Sequence, residues 1–178
     1  MPRGQPVAVL LDSLLMTAPA LPVIRPIRNA TWSLLGLNNE NAAQLSHLTL
    51  ADFGGLIDEA FCAAAIGEAD ALLLAFDQAA SYDSPNFLWF RERYDRFVYV
   101  DRVVTALAAR GKGYARALYC ELFARAKAAA HSRIVCEVNF DPPNPASDAF
   151  HAALGFAEVG RGTIHNGTKT VRYLLRDL

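Results

Sequence analysis

Two glycines flank Lys112 in the stretch Arg110-Gly111-Lys112-Gly113-Tyr114-Ala115, between an apolar run that ends at Thr105 and a helix-like run from Tyr114 to Ala130. Glycine lets a backbone come close to a ligand, and the start of the following helix offers N–H groups without intrahelical partners and the positive end of its dipole. Together these bind phosphate. The stretch is neither a Walker A loop, which needs a longer gap between its glycines and a Lys-Ser/Thr pair, nor a GxGxxG dinucleotide turn. Its plainer reading is a helix-capping glycine turn beside a surface lysine. Two carboxylates also draw notice, because Asp101 and Glu137 each interrupt an apolar strand pattern. Strands covered on both faces are nearly all apolar. Burial would raise such a carboxyl's pKa toward the range where it can take a proton, and the alternative is an ion pair with Arg102 or Arg133.

The glycine turn resembles the Arg/Gln-x-x-Gly-x-Gly/Ala turn of the GNAT acetyltransferase superfamily, and its surroundings extend the resemblance. Phe97 to Thr105 (FVYVDRVVT) is similar to the family's fourth strand and Arg133 to Val138 (RIVCEV) to its fifth. Asn144 to Phe156 (NPASDAFHAALGF) is similar to the family's N-x-x-A-x-x-[aliphatic]-Tyr-x-x-Leu-Gly-Phe segment, with Ser147 in the Ala position and His151 in the Tyr position. The resemblance implies an N-acetyltransferase that uses acetyl-CoA and no metal. A neutral amine attacks the acetyl carbon, an oxyanion forms, and coenzyme A leaves as thiolate.

Three tasks follow: holding acetyl-CoA, removing an amine proton, and protonating or hydrogen-bonding the departing sulfur. For the first, the resemblance implies that the turn from Arg110 to Ala115 wraps the pyrophosphate through its N–H groups, with Lys112 or Arg116 adding charge. A helix dipole alone supplies only about 0.3 to 1 kcal/mol, so the N–H donors must do most of the holding. The exposed backbone of Val103, Val104 and Thr105 is expected to pair with the pantetheine arm like an extra strand, Asn144 to hydrogen-bond the same arm, and Ser147 to make a minor contact. For the second task the candidates are Glu137, Asp101 or a water chain to solvent. For the third, His151 replaces a phenol by an imidazole with an ordinary pKa of about 6.5, able to donate or accept near neutrality. Otherwise it is a surface histidine without a role.

The acceptor site is implied to form from Asn38-Asn39-Glu40, the aromatic stretch Tyr82 to Phe90, and His165-Asn166. Asn38 and Glu40 would receive an ammonium group, and Tyr82 or Trp89, with Phe87 beside them, would cover it through a cation–π face. Those aromatics would otherwise cover a sheet edge or form a homodimer surface. A small-molecule amine, metabolite or amino-acid-like, is the expected acceptor. A protein N-terminus or lysine is the alternative, and an acyl-CoA-binding module without turnover is kept open by the missing tyrosine.

The elements that must position these groups follow from the pattern of the 178 residues, a length that encloses one full core. With 53% apolar and 20% charged residues and a net charge of −1, neither disorder nor bulk attraction to nucleic acid is favoured, and no membrane partner is indicated. The three cysteines, Cys62, Cys120 and Cys136, stand far apart in apolar runs and are expected to be buried thiols of a cytoplasmic protein. Val7 to Leu15, with Arg3 before it and Ala18-Pro19-Ala20 after, invites comparison with a signal peptide, but Asp12 breaks the run and it is too short to span a membrane. Residues 1–21 are therefore expected to be a poorly ordered extension, with Met16 a second candidate start, and residues 22–178 to form the domain.

Within it, strands are expected at Pro22 to Arg28, Phe61 to Ile66, Ala71 to Phe76, Phe97 to Thr105, Arg133 to Val138, Phe156 to Ile164 and Lys169 to Leu175. Helices are expected after an Asn29 cap and before Asn38-Asn39-Glu40, after a Thr49/Asp52 capping box, from Ser84 to Tyr94 with Pro85 at its first position, from Tyr114 to Ala130, and from Ser147 to Leu154. An Asn166-Gly167 turn would join the last two strands. This predicts an α/β domain with a central mixed sheet of about seven strands and helices on both faces, as the resemblance also implies.

Overall fold

The computed structural model describes residues 21–164 and 167–178. The expected extension, apart from Leu21, and the His165-Asn166 turn lie outside the described residues. The chain runs β1 (Ile24–Pro26), α1 (Trp32–Glu40), α2 (Leu50–Glu59), β2 (Cys62–Ile66), β3 (Ala71–Asp77), α3 (Pro85–Arg91), β4 (Val98–Thr105), α4 (Tyr114–Ala128), β5 (Arg133–Asp141), α5 (Pro145–Ala153), β6 (Ala157–Ile164) and β7 (Lys169–Asp177). The strands form one seven-stranded sheet in the order β1-β2-β3-β4-β5-β7-β6. Neighbours are antiparallel except β4 and β5, which run parallel. No helix among the described residues is long and apolar enough to cross a membrane.

Local chemistry explains most boundaries. Thr49 and Asp52 close a reciprocal capping box at the start of α2, as the sequence predicts. The cap of α1 is Thr31 rather than Asn29: its hydroxyl accepts from Leu34 N at 3.3 Å. Asn38, Asn39 and Glu40 do not stop α1 but complete it. Their amides bond outside the helix instead of competing with it, Asn38 Nδ2 to Ser46 O at 2.9 Å and Asn39 Nδ2 to Leu48 O at 3.0 Å. Helix α5 starts at Pro145, capped by Asn144, whose Oδ1 accepts from Ser147 N at 3.2 Å. Cys62 and Cys136 are buried, but Cys120 is exposed on the outer side of α4, because the helix turns only one stripe toward the sheet.

The alternation of strand side chains divides the core by face. Leu73, Val98, Ile134 and Cys136 point toward α4, against Leu118, Tyr119, Leu122 and Ala126. On the other face, Leu72, Leu74 and Val104 pack under α1 and α2 with Leu34, Phe53 and Ile57. Beside them Phe76, Tyr99, Val135 and Tyr173 meet Phe87 and Phe90 of α3 in an aromatic layer. Trp89 stacks on Tyr173 with centroids 4.1 Å apart. It lies so close to β6 that a Cβ at Gly160 would come within 2.6 Å of Trp89 Cζ2.

Two register features open the sheet. Arg102 pairs with Leu74 and Val100 with Ala75, so Asp101 is an extra residue in β4, a bulge that bends the strand. Pairing of β4 with β5 ends at Val100↔Cys136. Beyond that point β4 continues along β3 as far as Thr105, while β5 continues along β7 to Asp141. The two strands therefore part, leaving a gap in the middle of the sheet.

Candidate active site

A cavity of about 240 Å³ fills this gap and is lined by residues from both faces of the sheet. Its walls come from Val100 to Val103 of β4, Cys136 to Asn139 of β5, Tyr119 of α4, and Asn144, Ser147 and His151 at α5. Gln44 and Ser46 from the α1–α2 connection, Tyr82 and Asn86 before and within α3, and Lys169 of β7 complete it. Of the sequence candidates, the structure thus brings together Asp101, Glu137, Val103, Asn144, Ser147, His151 and Tyr82.

The two carboxylates have different surroundings. Asp101 Oδ2 accepts from Arg102 Nε at 2.5 Å and Oδ1 from the Tyr82 hydroxyl at 2.6 Å. Arg102 in turn donates through Nη1 to Asn38 Oδ1 at 2.7 Å, so Asp101 is a neutralised member of a buried chain that ends in α1. Among the described residues Glu137 has no paired cation. Its Oε2 accepts from the Tyr99 hydroxyl at 2.8 Å, and the amide of Asn86, whose Oδ1 accepts from Tyr173 at 3.3 Å, lies near enough to favour its charged form. Arg133, the cation considered for it, lies over the Tyr94 ring instead at 5.1 Å. Burial pushes Glu137 up to about 7, against the lowering effect of the Tyr99 bond.

On the opposite face His151 is buried and fully bonded. Its Nδ1 lies 2.8 Å from Ser147 O and its Nε2 lies 2.8 Å from the Tyr119 hydroxyl. Burial lowers its pKa, opposed by the Ser147 carbonyl. Beyond the gap, α4 begins with Gly113 in the left-handed region at φ 78° and no side chain capping it. The first intrahelical bond runs from Ala117 N to Gly113 O, so the N–H groups just before Ala117 have no helical carbonyl to bond. Arg110, Gly111, Lys112, Gly113 and Arg116 are exposed, Tyr114 and Ala115 half-buried. The β4 edge from Val103 through Val104 to Thr105 faces the gap without a β5 partner.

The acceptor candidates scatter. Asn38 is buried in the Arg102 chain, Glu40 is exposed on α1, and neither lines the cavity. Phe87 is fully buried in the aromatic layer, and Trp89 packs against Tyr173 and Gly160, with Arg93 over its outer face at 4.1 Å. Both cover the sheet, as the alternative reading had it. Gln44, Ser46, Asn86, Tyr99, Tyr119, Asn139 and Lys169 line the cavity and were not singled out from sequence. For Tyr119 a signal existed, since its spacing to Leu122 and Phe123 puts a phenol on the buried stripe of α4, where a hydroxyl needs a partner. Among the described residues no cluster of three or more His, Cys, Asp or Glu could hold a metal ion.

The site thus combines a parted pair of parallel strands, an uncapped helix N-terminus at one end and a buried carboxyl inside, as the resemblance implies. Residues 86–156 match the model of the acetyltransferase (GNAT) family. The fold agrees with a ribosomal-protein-alanine N-acetyltransferase from Brucella melitensis (TM-score 0.66, 20% identity, 88% of this chain and 99% of that one). It agrees as well with a GCN5-related N-acetyltransferase from Kribbella flavida (TM-score 0.65, 17% identity, 90% and 100%). A third likeness is to Arabidopsis thaliana NAA60 in complex with acetyl-CoA (TM-score 0.64, 14% identity, 88% and 98%). At these identities the likeness is one of fold. No curated protein matches the sequence.

Proposed function

We propose that the chain is an acetyl-CoA-dependent N-acetyltransferase acting on the primary amine of a small, amino-acid-like acceptor, with Glu137 as general base. The observation that carries this is Glu137 itself: a carboxyl with no paired cation among the described residues, lining the gap, with a pKa of about 7. Such a group is ionised in part of the molecules near neutrality and binds a proton well enough to take one from an attacking amine. Asp101, tied to Arg102 and Tyr82, positions the bulge rather than moving protons.

For the acyl donor, the left-handed Gly113 and the open N–H groups at the start of α4 suit a pyrophosphate, with Lys112 and Arg116 beside them. The free edge of Val103 to Thr105 suits the amides of a pantetheine arm, added as a strand would be. Asn144 Nδ2 and Ser147 stand where that arm would enter the cavity. The cavity is small beside the roughly 300 to 1,000 Å³ of common ligand sites, which favours a compact acceptor or the tip of a larger one. Tyr82, unlike Trp89, lines it, beside Tyr99 and Tyr119.

The test is to mix the protein with acetyl-CoA and a panel of amino acids, other small amines and peptides with free N-termini, and to follow thiol release. Release that depends on a small amine and is lost in Glu137→Gln is expected. Turnover only with peptides would move the acceptor to protein N-termini, and tight acetyl-CoA binding without release for any amine would leave a binding module.

A further inference from the structure

Tyr119 holds a polar group that the roles above leave unused. The residue is 0% exposed, yet its side chain lines the cavity. Phe150, His151 and Phe156 meet its ring edge-on, and Phe123 packs beside it, so the hydroxyl is held in one place. The direction of its hydrogen bond follows from the other end of the imidazole. A carbonyl oxygen can only accept, so the 2.8 Å contact of His151 Nδ1 with Ser147 O puts the ring proton on Nδ1. Nε2 then carries a lone pair, and the Tyr119 hydroxyl donates to it at 2.8 Å. His151 therefore presents no proton to the cavity, and burial disfavours the imidazolium that would.

We infer that Tyr119, not His151, donates the hydrogen bond that stabilises the departing sulfur of the acyl thioester, with His151 as the positioning residue for its hydroxyl. This rests on the function proposed above. Attacking amine and leaving sulfur occupy different sides of the acetyl carbon, so base and sulfur-binding group belong on different faces of the gap. Glu137 and Cys136 are successive residues of β5 and point to opposite faces, Glu137 toward Tyr99 and Cys136 toward Tyr119. In the step itself the C–N bond forms and the C–S bond breaks. The amine proton passes to Glu137, and the C–S electron pair stays on sulfur as thiolate.

The Tyr119 hydroxyl turns from Nε2 to that sulfur and keeps its proton, because a phenol is the weaker acid of the two. Burial, together with the nearby Cys136 and Glu137, raises the phenol's pKa further, so the donor persists throughout the working pH range. The other charged or titratable group facing this pair is Asp148, on α5 beside His151.

The experiment measures the pKa of the thiol of bound CoA, from thiolate ultraviolet absorbance across a pH series, in wild type, Tyr119→Phe, His151→Gln and His151→Leu. A donor aimed at the sulfur lowers that pKa below the free-thiol value. Tyr119→Phe, which removes one oxygen and keeps the ring, is expected to raise it by about one to two pH units. His151→Gln, whose Oε1 still accepts from the phenol, should stay near wild type, and His151→Leu should shift part of the way. An unchanged value in Tyr119→Phe that still binds CoA, or a full shift in His151→Leu without one in Tyr119→Phe, overturns the inference and leaves the proposed activity standing. Failure of wild type to bind CoA at all removes the proposed function and this inference with it.

Discussion

The two ends of the site are built from different materials. At the start of α4 the groups proposed to face the ligand are backbone N–H donors, placed by two left-handed glycines. In the gap between β4 and β5 they are side chains, buried and placed by one another: Tyr99 and Asn86 on Glu137, Tyr82 and Arg102 on Asp101, Tyr119 on His151. A backbone site depends on few residue identities and tolerates change around it. A side-chain site fails when any member loses its partner, because a buried polar group left unpaired is costly.

Substitutions can sharpen this contrast. Glu137→Gln should have the largest effect, a fall in kcat of about 10² to 10⁴ with acetyl-CoA affinity nearly intact. Steady-state kinetics beside calorimetric titration separates the two, and an equal loss of affinity would mean that Glu137 holds ligand instead of moving a proton. Gly113→Val comes next. No heavy atom lies within 4 Å of a Cβ built there, so the variant should fold, with only the left-handed strain of a branched residue, about 1 to 2 kcal/mol, set against it. Its side chain would stand in the phosphate position, and calorimetry should show acetyl-CoA binding about 10- to 100-fold weaker, equivalent to one or two charge-assisted bonds. Undiminished binding would place the cofactor elsewhere.

Trp89→Ala acts on neither end directly. It removes an indole packed on Tyr173 and should lower stability to denaturant by about 3 kcal/mol, while acetyl-CoA affinity and acceptor KM change little. A selective rise in acceptor KM would return Trp89 to the acceptor site.

The last effect is on the pH dependence of stability. Glu137 has a folded pKa of about 7 against an ordinary 4.5, so the native state binds its proton more tightly than the unfolded chain does. On this group's account, stability falls as pH rises from 4.5 to 7 and is level above that. Glu137→Gln should therefore raise the melting temperature at pH 8 and leave it almost unchanged at pH 4, and the opposite ordering would exclude a buried, uncompensated carboxylate.

The backbone end was legible in the sequence and the side-chain end only partly so. The order of strands and helices, the capping box of α2 and the glycine turn rest on local signals that the chain cannot easily override. Glu137 and Asp101 could be noticed as charges in apolar strands, but which of them is paired depends on Arg102 and Asn38, the latter sixty-four residues from its partner. Asn38 looked available because asparagine often ends a helix, whereas here it accepts from Arg102 and donates to Ser46, and α1 runs on past it. Trp89 looked like a ligand face because its length of connection is unusual, and no local pattern reveals that Gly160 leaves room for its ring. His151 was placed correctly in α5 but not in its bonds, since those depend on a hydroxyl from α4.

The contact between Trp89 and Gly160 also limits how this protein can change over generations. Any side chain at position 160 would collide with the indole at 2.6 Å, and any smaller residue at position 89 would leave a void against β6. Each step alone is costly, so the two positions are coupled and their substitutions are not additive. Because α3 also carries Asn86 into the cavity beside Glu137, a substitution on the outermost strand of the sheet bears, two steps removed, on the carboxyl proposed as the base.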